Sequence, residues 1–403
     1  MALKPVSFFP SLFFCISLIL APGTVQAKLL PADSLAVRAI LDTNHLNLLP
    51  IDSVADTLHG RVIALHLSGR RIGLLPPGIA ALSKLRILAL DHNALAALPP
   101  EIGSLEDLTD LRLVSNKLTS LPQSIAGMSS LSSLLLDSNK ITALPDSLAA
   151  LEYLMVLSVR SNGLKRLPDS IGSLRALKFL YLDGNRLAAL PPSIDSLTLL
   201  EVLSLKSNRI SKVSLHLPLL RILDLSYNRL AGPLEISGLP ELSDLYVRGN
   251  GIIALPPAFF QQKKIRWLYL DSNSLTMLPP EIAQMAGLQW LSVSGNRLAA
   301  LPDSIGELKG LKVLDCSGNA IAELPRSMVM LSGLTILTLG HNRLTTLPDG
   351  IETLRAFPAR QASMTRPTLD LSGNRLCEVP QKIREWADTF DPGWQARQSC
   401  SKR

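Results

Sequence analysis

Histidine, cysteine, serine and acidic side chains build most active sites, and in this 403-residue sequence they are not spaced for catalysis. There is no G-x-S-x-G nucleophile turn, no G-x-x-x-x-G-K-S/T phosphate loop, no H-E-x-x-H zinc helix and no C-x-x-C pair. His66 and Asp91 fall where two strands would neighbour each other. No nucleophile accompanies them, so a polar surface contact is the simpler reading. Asp91, Asp137, Asp183 and Asp271 recur at one position of a repeating pattern but alternate with other residues. A Ca²⁺ cage needs several oxygens converging on one point, which this arrangement does not supply. The sequence therefore predicts no catalytic residue, no metal and no cofactor.

What the sequence does carry is chemistry of contact. Outside the first 27 residues there are fourteen aromatics, and seven fall at strand-face positions of one stretch: Phe179, Tyr181, Tyr227, Tyr246, Trp267, Tyr269 and Trp290. Lys206, Asp224, Asp244, Arg248, Arg266 and Asp271 lie among them. Aromatic centres with charged rims are the anatomy of binding surfaces. The plainer alternative is that aromatics suit strands and pack along the face. A second set is basic: Arg71, Lys117, Lys140, Arg186, Arg209, Arg229, Arg297, Arg343 and Arg375 occupy one repeat position. That column reads first as solvated filler, and in its sharper reading as contact with an anionic polymer.

These positions are defined by an internal repeat. Leu85-x-x-Leu88-x-Leu90-x-x-Asn93 returns as Leu108, Leu111, Leu113 and Asn116, and again as Leu131, Leu134, Leu136 and Asn139, with a spacing of 23 residues. The ninth position is Arg70 in the first unit and Asn in the next thirteen, at 93, 116, 139, 162, 185, 208, 228, 250, 273, 296, 319, 342 and 374. Eleven of the fourteen units continue to Leu-Pro, as at Leu98-Pro99. Alternation in Leu-x-Leu turns both side chains to one face of a short strand. One unit cannot bury that face, so neighbours must stack. The period shortens to 20 residues from Leu200 to Leu220 and to 22 from Leu220 to Leu242, both without Leu-Pro. About nine residues are inserted near 357–367, which predicts a surface loop.

This pattern resembles the leucine-rich repeat family, in its 23-residue class with LPxxIxxL on the far side. The resemblance covers residues 62 to about 379. It implies an α/β solenoid, a horseshoe of about 14 repeats with a parallel, concave β-sheet and a cap at each end. It also implies that the repeated Asn is scaffold, bonding backbone groups of adjacent turns, as buried backbone groups require. Cys316 stands where other units have the third strand Leu and reads as a small buried apolar residue.

The organisation follows. Residues 1–27, with Lys4, an apolar run from Phe8 to Leu20 and the small-residue site Val25-Gln26-Ala27, read as a signal peptide. Pro10 and the short run argue against a membrane anchor, and Phe13-Phe14 before Cys15 against a lipoprotein. Residues 28–61 form an N-terminal cap, with a helix from Ala32 to Leu41 that Asp33 or Ser34 could cap. There Asn44, Leu46, Leu49 and Pro50 echo the repeat. Residues 62–379 are the repeats and 380–403 a C-terminal cap, its helix starting after Pro380 and ending at Asp391-Pro392-Gly393. Export permits a disulfide, and Cys377 and Cys400, which bracket this terminal segment, are the natural pair. Disulfide-tied ends of this kind occur in secreted members of the family.

An exported, secreted, periplasmic or cell-surface protein with no enzymatic activity is the reading. It binds a protein partner through the concave aromatics, with Arg248 and Asp271 at their rim. A carbohydrate-binding protein and a regulator or inhibitor of an extracellular enzyme are the alternatives. The net charge of +7 permits an anionic partner without demanding one, and export disfavours nucleic acid. The lack of any N-x-S/T sequon and the regularity of the repeats lean toward a bacterial origin.

Overall fold

The computed structural model describes residues 29–357 and 368–400. The expected signal peptide and nearly all of the 357–367 insertion lie outside the described residues. The rest forms a helix, a hairpin, a series of stacked coils and a closing helix. Each regular coil holds a three-residue strand such as Asp110–Arg112, a tight turn, and a five-residue 3₁₀ helix on the far side such as Pro100–Ser104.

The chain divides into two compact units. One contains residues 29–229 and 236–242, the other 230–235 and 243–400. In the first, the antiparallel hairpin Ala55–Leu58 and Arg61–His66 leads into parallel strands that continue coil by coil to Ile222–Asp224. In the second, parallel strands run from Asp244–Tyr246 to Leu369–Asp370. Pairing is in register, so equal positions stack: Leu88 faces Leu111, and Leu111 faces Leu134. The apolar positions of the pattern are the core, with Leu85, Leu88, Leu90 and Leu95 all at 0% exposure.

Leu-Pro sets the far side. Every one of the ten five-residue 3₁₀ helices among the described residues is preceded by a proline, Pro99 with φ −68° being typical. Proline holds this φ at no cost, and its missing N–H is not needed at a helix start. Where Leu-Pro is absent, the two short units have no such helix. Instead Ala231–Pro233 is extended and pairs parallel with Gly251–Ala254 as a separate two-stranded sheet.

The repeated asparagines form a ladder between coils. Asn116 donates its amide to the carbonyls of Leu90 (2.9 Å) and Leu113 (3.1 Å) and accepts from the Leu95 N–H (3.1 Å). A buried donor or acceptor without a partner costs about 1–3 kcal/mol, so these amides hold the turns in place.

Each end repeats this bonding with other residues. Helix α1 spans Pro31–Thr43, longer than expected, and its N-cap is Leu30 with Pro31 next. Asp33 does not cap it. Its buried carboxylate instead accepts from the Val62 N–H (2.8 Å) and the Arg61 Nε (3.0 Å), tying the helix to the hairpin. Asn44 bonds the first coil, accepting from the Gly73 N–H and donating to the Leu74 carbonyl. At the other end, α2 (Gln381–Phe390) follows Pro380 and packs Trp386 and Phe390 against Phe357. Gln398 then accepts from the Leu376 N–H and donates to the Leu371 carbonyl, the two bonds a following ladder Asn would make. The Cys377–Cys400 disulfide closes this cap. No helix among the described residues is long and apolar enough to cross a membrane.

Candidate recognition interface

Side chains at the third, fifth and seventh positions of each coil point from the strands to the face opposite the 3₁₀ helices. In the unit containing 243–400, three adjacent strands carry Tyr246, then Trp267 with Tyr269, then Trp290. In-register pairing sets Trp267 beside Trp290 and Tyr246 beside Tyr269. The two indoles stack at 5.6 Å with planes 9° apart, the two phenols at 4.8 Å and 11°, and Tyr269 leans on Trp290 at 5.5 Å. The Arg248 guanidinium lies 4.0 Å from the Tyr269 ring centre. Its Nε sits 2.8 Å from Asp271 Oδ2, an ion pair too oblique to be a hydrogen bond. Ser292 and Ser294 hydroxyls donate to Oδ1 of Asp271.

The sequence reading has these aromatics exposed. The structure corrects this for Tyr269, which is only 1% exposed beneath Arg248 and between its neighbours. Trp267, Trp290 and Tyr246 are half-buried. Stacking removes much of the cost of standing in water and fixes the rings, so the outer edges of the indoles form a rigid apolar surface. The Trp290 indole N–H is shielded and has no acceptor among the described residues.

In the other unit, Phe179 and Tyr181 share a strand and are half-buried. The Arg160 guanidinium lies 4.1 Å from the Tyr181 ring centre, and its Nε is 3.0 Å from Asp183 Oδ2. Burial pushes the Tyr181 hydroxyl above the usual phenol range, with Arg160 opposing the shift. This is the same trio as Arg248, Tyr269 and Asp271. Arg160 was missed by the sequence reading, although a signal exists: in both cases Arg is followed by Tyr 21 residues later and Asp 23 later, one coil on. Tyr227 is not on a strand. It occupies the turn after Ile222–Asp224 with φ +57°, is 52% exposed, and has Lys206 Nζ 5.5 Å from its ring centre.

Several of the remaining polar groups of the face bind one another. Asp91 accepts from the Val114 N–H and pairs with Arg112, and Asp137 accepts from the Arg160 N–H (2.7 Å) and the Ser158 hydroxyl. Burial raises the carboxyls of Asp137 and Asp224 above the ordinary range, against the hydrogen bonds from Ser158 and Ser226. His66 pairs not with Asp91 but with Asp56, 3.0 Å away across the hairpin, because its in-register partner on the next strand is Ala89. Cys316 is buried and burial pushes its thiol well up, which leaves no thiolate to react. No three His, Cys, Asp or Glu side chains among the described residues are placed to hold a metal.

Comparison with known proteins agrees with this architecture. A family described as "Leucine-rich repeat region" matches residues 133–230 and 280–359, and one described as "Leucine rich repeat" matches 83–141 and 240–298. No curated protein matches the sequence significantly. Among solved structures, a leucine-rich repeat protein of Leptospira interrogans is 31% identical, with TM-score 0.64, covering 84% of this chain and 94% of its own. YopM from Yersinia enterocolitica WA-314 is 26% identical, with TM-score 0.60, covering 90% of this chain and 67% of its own. The ectodomain of the Arabidopsis thaliana membrane receptor kinase GASSHO1/SCHENGEN3, solved in complex with Casparian strip integrity factor 2, is 26% identical with TM-score 0.57. It is matched over 81% of this chain, which spans 42% of that one. Repeat, ladder and relatives converge, and the chain belongs to the leucine-rich repeat family.

Proposed function

We propose that this chain is a non-enzymatic recognition protein that binds a protein partner on its strand face. The observation that carries this reading is the stacked cluster of Tyr246, Trp267, Tyr269 and Trp290, clamped by Arg248 and Asp271. Its rings are fixed before binding, which limits the ordering cost. Trp, Tyr and Arg are the side chains enriched among binding hot spots. Phe179 and Tyr181 form a second, smaller contact patch in the other unit, built on the same Arg–Tyr–Asp trio. The receptor ectodomain solved with Casparian strip integrity factor 2 supports a protein or peptide ligand by analogy of fold.

The acidic groups of the face are engaged with Ser, Arg and backbone N–H groups, which favours contact over catalysis. The Cys377–Cys400 disulfide suits an oxidising compartment. With it, residues 1–27 read as a leader that exports the protein to periplasm, surface or medium, 28–61 and 380–403 as caps, and 62–379 as the repeats.

The test is Trp267→Ala with Trp290→Ala, both checked as folded, in a capture experiment against extracellular proteins and polysaccharides. Tyr269 is left intact because its burial makes it part of the packing. A protein bound by the parent and weakened by ~2 kcal/mol or more in the variant supports the site. Equal retention by both forms defeats it, and selective loss of a neutral glycan favours the carbohydrate alternative.

A further inference from the structure

We infer that the turn edge of the unit containing residues 29–229 is a second binding site, for an acidic polysaccharide. It is separate from the strand face and its ligand is of another class. Within four residues after the ladder Asn of six consecutive coils lie eight exposed cations: Lys117, Lys140, Lys165 with Arg166, Arg186, Arg209 with Lys212, and Arg229. No acidic residue occurs in the corresponding segments 115–120, 138–143, 161–166, 184–189, 207–212 and 227–232. None of the eight pairs with an acid among the described residues, whereas Lys84, Arg112, Arg160 and Lys178 in the same unit each do. The acids Glu101, Asp146, Asp169 and Asp195 lie instead on the 3₁₀ helices.

The backbone holds five of these cations, Lys117, Lys140, Arg186, Arg209 and Arg229, at one repeat position, with Gly163 there in the coil that carries Lys165 and Arg166. The N–H of Lys140 donates to the Leu118 carbonyl, that of Arg186 to Leu164, that of Arg209 to Leu187 and that of Arg229 to Ile210, each at 2.8–2.9 Å. Coils therefore follow one another at about 4.8 Å, and the line from Lys117 to Arg229 runs about 24 Å. Like charges stacked so closely repel, and a chain with an acidic group on successive residues removes that repulsion.

A second observation points to sugar. Of the residues at the eighth position of the coils, all with positive φ, Tyr227 alone is neither Gly, Ser nor His. A left-handed conformation costs a bulky residue energy, and such strain is kept where a side chain is used. Its ring stands 52% exposed at the end of the line, beside Lys206 and two positions from Arg229. An aromatic face stacks on the C–H face of a pyranose while neighbouring cations take its carboxylate or sulfate. Single-stranded nucleic acid calls for an aromatic at each successive base, and this edge has one. The disulfide suits an oxidising compartment, where acidic polysaccharides are encountered.

The test uses the full chain with alginate as probe, neutral dextran and an oligothymidylate of matched charge as comparators, across a range of salt. Alginate is expected to bind with affinity falling steeply as salt rises, and dextran not to bind. Lys140→Glu/Arg186→Glu/Arg209→Glu is expected to lose about tenfold or more and to flatten the salt dependence. Lys140→Gln/Arg186→Gln/Arg209→Gln repeats this without adding repulsion, should the reversed charges disturb folding. Tyr227→Ser, the residue five other coils carry there, is expected to weaken alginate several-fold with the salt slope unchanged. Trp267→Ala is expected to leave alginate binding intact, which separates this site from the strand face. No alginate binding, or none lost in either triple variant, overturns the proposal. Tighter binding of the oligothymidylate than of alginate overturns the ligand class.

Discussion

Asn185 donates to the carbonyls of Val159 and Leu182 and accepts from the Leu164 N–H, all within 3.0 Å and out of contact with water. Replacing it with Ala strands two buried backbone groups, the Val159 carbonyl and the Leu164 N–H, while the Leu182 carbonyl keeps its bond from Asn208. Asn185→Ala is expected to cost roughly 3 kcal/mol, and Arg186→Ala, one residue along and exposed, under about 0.5 kcal/mol; urea unfolding of the two variants measures the contrast. The ladder was legible because one residue type recurs at one spacing. Its end members were not. In the sequence Asn44 is only an echo of the repeat, and Gln398 carries no repeat signature at all, yet each bonds its neighbouring coil as a ladder residue would. Their role depends on where a cap folds back, which no periodicity encodes. The buried state of Tyr269 was hidden for a related reason: alternation says which face a side chain takes, but not that Arg248 and three rings cover it.

At the scale of elements, the C-terminal cap is where the coil stack must stop. The strand Leu369–Asp370 and the turn after it would leave backbone donors unpaired, and the cap answers them. The Gly373 N–H donates to the Arg397 carbonyl, the Leu371 N–H to the Asp391 carboxylate, and Trp394 fills the space beneath. The disulfide spans a separation of 23 residues, a loop whose closure is worth about 3 kcal/mol. Cys377→Ser/Cys400→Ser is therefore expected to lose about that much stability. Hydrogen exchange should show the loss beginning at residues 369–400, while the coils around Asn185 stay protected, since stacked coils lean on nearest neighbours. Equal loss of protection along the whole chain would contradict this. Helix α2 was readable from Pro380 and the apolar spacing of Ile383 and Trp386. The start of α1 is legible to within a residue but its cap is not, because Asp33 looks like a cap in sequence and serves as a buried anchor for Arg61.

For the molecule as a whole, the architecture was legible because it is one short rule repeated, and breaks in the rule marked real breaks in structure. The two units without Leu-Pro lack the 3₁₀ helix and lie where one compact unit gives way to the other. The recognition surface was legible only as a set of positions. Which of them touch is decided by register: Trp267 meets Trp290 because equal positions pair, while Tyr227 occupies a turn rather than a strand.

The same pairing gives the protein a built-in optical probe. Two indoles stacked at 5.6 Å couple their electronic transitions, and a couplet in the far-ultraviolet circular dichroism of the indole band is expected from the rotation of one ring over the other. Trp386 and Trp394, buried in the cap, lie outside that pair and contribute a steady background. Trp267→Phe should abolish the couplet with the fold kept. A ligand seated on the strand face should alter it during titration, and alginate bound at the turn edge should leave it untouched. The two proposed sites can thus be told apart in one cuvette, without a label.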